Sequence, residues 1–72
     1  MQWQLIKLRK ENKETQEHLS QLLGISESAY RNKELGKNQF KLNEMFVLSN
    51  HYESNIDEIF LPTNFTVRKE KV

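Results

Sequence analysis

The chain has 72 residues, 36% hydrophobic and 29% charged, with a formal net charge of +1 and no cysteine. That length allows one domain with a small core and about 3–5 kcal/mol of net stability, which excludes a separate ligand-sensing domain. The lack of cysteine excludes a disulfide framework and thiolate chemistry, and the longest apolar run, Met45 to Leu48, is too short to span a membrane. No segment reads as a signal peptide, so a cytoplasmic protein with no membrane partner is expected.

Gln2 to Asn12 reads as a first helix, with Leu5 and Leu8 facing inward, Lys7, Arg9 and Lys10 around them, and Trp3 as a lid on the core. Thr15 is placed to cap a second helix whose apolar stripe is Leu19, Leu22 and Leu23. Gly24 sits where a left-handed residue ends that helix, Ile25 packs just beyond the turn, and Ser26 can accept a free N–H of a new helix. This third helix runs from about Glu27 to Glu34 or Leu35, carries Ala29, Tyr30 and Lys33, and stops at Gly36. The loop from Lys37 to Lys41 leads into a fourth helix, LNEMFVLSNHY, with an inward stripe of Leu42, Met45, Leu48, Ser49 and Tyr52. Asn55 and Glu58 have the spacing of a capping box, which starts a short fifth helix. Pro62 stops helical structure, and the tail reads as irregular or as a short strand in which Phe65 and Val67 alternate with Thr66 and Arg68. The expected fold is all-α, a compact bundle of about five short helices over residues 1–61, followed by a C-terminal tail over 62–72.

Over QEHLSQLLGISESAYRNKE, residues 16–34, the pattern resembles the helix-turn-helix domain of the Cro/CI-type (XRE) family, the lambdoid phage repressors and their bacterial relatives. The match rests on Leu19, Leu23, Gly24, Ile25, Tyr30, Glu34 and Gly36. The segment Ile56 to Phe60 resembles the family's closing short helix, so the resemblance covers roughly Leu5 to Leu61. It implies a lambda repressor-like fold with a central helix-turn-helix, and a sequence-specific transcriptional regulator, a repressor, that binds a palindromic operator in double-stranded DNA as a homodimer. Such a protein needs no cofactor and no small-molecule ligand.

Base edges are read by the solvent-facing N-terminal residues of a recognition helix, because that end reaches the floor of the major groove. Here those residues are Glu27, Ser28, Arg31 and Asn32; Arg31 can pair with guanine, Asn32 with adenine, and Glu27 can accept from the cytosine amino group. Gln16 opens the second helix, where free backbone N–H groups favour a phosphate, and the resemblance gives this glutamine the role of a backbone clamp. Lys37, Asn38 and Lys41 lie in the loop that the family places along the same phosphate strand, and Lys10 and Lys13 extend that set. By resemblance, Arg9 and Glu34 form a structural ion pair. The family commonly dimerises through the fourth helix and the segments after it, which makes Phe46, Val47, His51 and Phe65 the expected dimer interface.

Charge is uneven along the chain. Residues 1–41 carry eight Lys or Arg against five acids, and residues 42–72 carry three against five. The basic half contains the turn motif, yet the modest excess predicts few phosphate contacts and binding that falls steeply above moderate salt. Some positions depart from the family pattern. Ser20 replaces a preferred alanine and its hydroxyl needs a partner; Lys33 replaces an apolar residue and is expected to lay its stem on the core with the ammonium in solvent. Lys13, Glu14 and Lys41 replace a frequent glycine, an apolar residue and a Ser or Thr cap, which points to a marginally stable domain.

An alternative reading keeps the fold as a protein-interaction module, an antitoxin or an adaptor of another regulator, favoured by low net charge and by Trp3, Phe46 and Val47. An enzyme is not expected, because no nucleophile is paired with a base and no phosphate-binding glycine loop is present. His18 and His51 read as ordinary surface histidines without a convergent metal-ligand set.

Overall fold

The computed structural model describes residues 1–60, which form five helices: α1 (Trp3–Glu11), α2 (Gln16–Leu23), α3 (Glu27–Leu35), α4 (Leu42–Tyr52) and α5 (Ile56–Ile59). It is an all-helical bundle, as expected. The expected strand and tail, with Phe65, lie outside the described residues.

Local chemistry sets most of the helix ends. Thr15 Oγ1 accepts from the His18 N–H at 3.0 Å, and Ser26 Oγ accepts from the Ala29 N–H at 3.1 Å, so α2 and α3 each begin at a hydroxyl cap. Gly24 at φ 73° and Gly36 at φ 90° end the same two helices in the left-handed region that glycine enters without steric cost. Lysine cannot accept a bond, so α4 is capped from inside: Glu44 Oε1 accepts from the Lys41 N–H at 2.8 Å. Glu58 supplies the same half of a capping box to the Asn55 N–H at 3.0 Å, whereas the Glu58 N–H donates to the Asn55 main-chain carbonyl.

The core consists of Leu5, Leu19, Tyr30, Phe40, Leu48, Ile59 and Phe60, with Leu8, Leu23, Ile25, Met45, Tyr52 and Ile56 packed around it. Phe40, in the polar loop before α4, holds the aromatic centre together. Its ring meets Tyr30 edge-on at 5.9 Å and Phe60 at 5.1 Å, the edge-to-face geometry that aromatic quadrupoles favour. Such a ring buried between α3 and α5 ties the loop to both.

Four expectations about side-chain placement are corrected. Leu42 is 63% exposed and leaves the inward face of α4, where buried Glu44 stands instead. Leu22 is exposed, so α2 turns Leu19 and Ser20 inward and only half-buries Leu23. Trp3 is 61% exposed and is no lid on the core. The Lys33 ammonium does not escape to solvent; it bonds both oxygens of Glu44, at 2.6 and 2.8 Å. Ser20 finds its partner in the Glu17 carbonyl, 2.7 Å away.

Candidate functional site

Helix α2 packs most extensively on α3, and the left-handed Gly24 followed by the Ser26 cap makes the chain stop, turn and restart within three residues. Tyr30 and Glu34 of α3 are buried, and Ala29 and Lys33 are partly so. The opposite face is therefore open at its first turn. Glu27, Ser28 and Arg31 are exposed there, and Asn32, one turn along, is half-buried. Glu27 and Arg31 stand one turn apart with Oε2 and Nη2 3.7 Å from each other, and both side chains are 47% exposed. A pair this wet is worth little to the fold and is easily opened by a better partner.

Beneath this face lies a buried polar junction. Arg9 donates from Nε to Glu34 Oε2 at 2.8 Å and from Nη2 to Oε1 at 3.2 Å, while its Nη1 reaches the Glu14 carbonyl at 3.1 Å. The Tyr30 hydroxyl donates to Glu34 Oε2 at 2.9 Å, and Gln16 Nε2 donates to Oε1 at 2.8 Å. One carboxylate thus accepts from α1, α2 and from its own helix. Burial disfavours the charged guanidinium, but the bonded Glu34 carboxylate outweighs it and raises the Arg9 pKa. Burial and the adjacent Glu34 charge push the Tyr30 hydroxyl up in the same way, so it stays a donor.

The expected ion pair of Arg9 with Glu34 is present, and Gln16 joins it. An amide nitrogen carries two N–H donors, and Glu34 takes one, so Gln16 is held in place at the start of α2. Lys10, Lys13, Lys37, Asn38 and Lys41 are all exposed. The N–H groups of Lys37 and Asn38 donate to the Asn32 carbonyl, at 2.9 and 3.3 Å, which fixes the loop after α3 against its last turn.

The residues expected at a dimer interface separate. Phe46 and Val47 are 53% and 38% exposed, and Leu42, one turn before Phe46, adds to their apolar patch. Its place there was readable in the spacing, since residues four apart on a helix share a face. His51 turns to other company. Its Nε2 lies 2.5 Å from Glu14 Oε2, and His18 Nε2 lies 3.7 Å from the same oxygen. The two histidines therefore do have a third group beside them, supplied by the loop before α2. Tyr52 donates to the other Glu14 oxygen at 2.6 Å. Burial raises the Glu14 pKa, but the bonds from Tyr52 and His51 and the charges of both histidines outweigh it and hold the carboxyl below its ordinary value.

Among the described residues no helix is long and apolar enough to cross a membrane. No protein-family model, curated protein or solved structure matches the chain.

Proposed function

We propose that the chain is a Cro/CI-type helix-turn-helix domain that binds duplex DNA sequence-specifically as a homodimer and represses transcription by occupying a promoter. The observation that carries this reading is the first turn of α3. Its Ser26 cap, buried Tyr30 and exposed Glu27, Ser28 and Arg31 present a helix end whose polar groups face solvent, where base edges can reach them. Helix α2, packed on its back and capped at Thr15, offers Gln16 and its own N-terminus to a phosphate. Lys37, Asn38 and Lys41 extend the phosphate contacts from the loop after α3, with Lys10 and Lys13 from the end of α1 and the following turn.

Arg31 reads guanine and Asn32 adenine, while Glu27 repels phosphate and rejects sequences that bring the backbone near it. Opening the solvent-exposed Glu27–Arg31 pair costs little, so both groups can exchange partners on binding. Leu42, Phe46 and Val47 form the contact between copies, which sets two α3 helices in successive major grooves about 34 Å apart.

Equilibrium binding to DNA flanking the chain's own gene, compared with scrambled duplex across a salt series, tests the proposal. Preference for the flanking DNA that Asn32→Ala removes supports direct readout. Equal, weak and salt-insensitive binding to both duplexes counts against it. A second reading, a protein-interaction module of the antitoxin or adaptor type, draws on the exposure of Trp3, Leu42, Phe46 and Val47. Affinity for a protein partner docked there would fall little with salt, unlike phosphate binding.

A further inference from the structure

Glu14, His18 and His51 come from three parts of the chain: the loop between α1 and α2, the first turn of α2 and the last turn of α4. One ligand atom from each lies within 4.8 Å of the others. We infer that Glu14, His18 and His51 form a binding site for a divalent first-row transition cation of the zinc class, which clamps α2 to α4.

The donor set fits that class. Two imidazole nitrogens and one carboxylate oxygen suit zinc and its neighbours, whereas magnesium and calcium call for oxygen ligands. Metal bonds of about 2.0–2.2 Å place tetrahedral ligand atoms roughly 3.4 Å apart. His18 Nε2 at 3.7 Å from Glu14 Oε2 is already near that spacing, and His51 Nε2 at 2.5 Å has only to draw back as the cation enters. His18, with a side chain 55% exposed, has the freedom to close the remaining gap, and the same exposure leaves a fourth position for water.

Glu14 is held as a metal carboxylate should be. The Tyr52 hydroxyl occupies Oε1 and leaves Oε2 to face both imidazoles. Its main chain is fixed at both ends, the N–H to the Arg9 carbonyl at 3.0 Å and the carbonyl to Arg9 Nη1 at 3.1 Å. Outer hydrogen bonds of this kind orient ligands and strengthen metal binding. The site does not depend on the proposed DNA binding.

Thermal unfolding of the untagged, chelator-treated chain with zinc chloride, magnesium chloride or no metal is the test, joined to calorimetric titration with zinc. Zinc at a hundredfold excess over its Kd should raise Tm by roughly 10 °C or more, at one ion per chain, and magnesium should not. His18→Ala lies on an exposed side chain and keeps the metal-free fold, so it should weaken zinc binding at least tenfold. His51→Gln should do the same, and Tyr52→Phe should weaken it about 10–100-fold by releasing Glu14. An unchanged Tm with zinc overturns the inference. A rise of equal size in His18→Ala overturns it too, since the cation then binds elsewhere.

Discussion

Lys33 Nζ bonds both carboxylate oxygens of Glu44, at 2.6 and 2.8 Å, with the two side chains only 12% and 6% exposed. The pair joins the last turn of α3 to the first turn of α4, and Glu44 also caps α4 through the Lys41 N–H. Glu44→Gln keeps one accepting oxygen but loses the charge and the bond to the other, and should therefore lower stability by about 1.5–3 kcal/mol, the value of one hydrogen bond to a charged group. Urea unfolding reads this directly. Lys33→Met combined with Glu44→Leu should recover part of the loss, because no buried charge is then left unmatched.

The same pair makes a prediction about pH. Burial raises the Glu44 pKa, but Lys33 and the Lys41 N–H outweigh it and hold the carboxyl below the ordinary glutamate value. A carboxyl with a depressed folded pKa adds stability that is present above its unfolded value and is lost as pH falls through the folded one. The difference in Tm between the parent chain and Glu44→Gln should be constant near neutrality and shrink below about pH 4.3. A difference unchanged down to pH 3 would contradict it.

Arg9 and Glu34 lie deeper, at 9% and 2% exposure. Glu34→Ala strands the guanidinium together with the Tyr30 hydroxyl and the Gln16 amide, and Arg9→Met strands the carboxylate. Each single change should cost about 3–5 kcal/mol, comparable to the whole stability of a domain this size. Circular dichroism at 25 °C should show both variants largely unfolded.

Lys13 at φ 57° and Glu53 at φ 53° occupy the left-handed region without being glycine. Relief of that strain by Lys13→Gly or Glu53→Gly should stabilise by about 0.5–1 kcal/mol after the added entropy of the unfolded chain is set against it. Gly24→Ala should have the opposite sign, a loss of about 1–2 kcal/mol, although a Cβ there meets no atom within 4 Å. Melting curves of the three variants decide the signs.

Phe46→Asp should convert the proposed dimer to monomer without unfolding it, since the side chain is 53% exposed. Sedimentation equilibrium measures the mass. A parent chain that is monomeric at all concentrations would remove the interface from the account.

Helix ends were the most legible feature. Thr15, Gly24, Ser26 and Gly36 act on backbone groups within a few residues, so spacing alone located them. Apolar spacing alone turns Leu42 of α4 inward and passes over Glu44, whereas the folded helix exposes Leu42 and buries Glu44. Glu44 is buried because Lys33, eleven residues earlier, neutralises it, and no periodicity carries that pairing. The meeting of Glu14 with His51 and Tyr52 was hidden for the same reason, since the partners lie 37 and 38 residues apart. Phe40 lies in a polar loop, and only its edge-on contacts with Tyr30 and Phe60 make it core. Resemblance points to Arg9 with Glu34, whereas no local spacing points to the bond from Gln16 to the same carboxylate.

Base reading by the first turn of α3, as proposed, is open to direct test. Selection of bound sequences from a random duplex pool, run in parallel with the parent chain and with Arg31→Ala, tests it without a known operator. The expected result is a near palindrome with half-sites about one helical turn apart, whose guanine preference is lost at one position per half-site in the variant. No enrichment with the parent chain, or an identical motif with the variant, would contradict it.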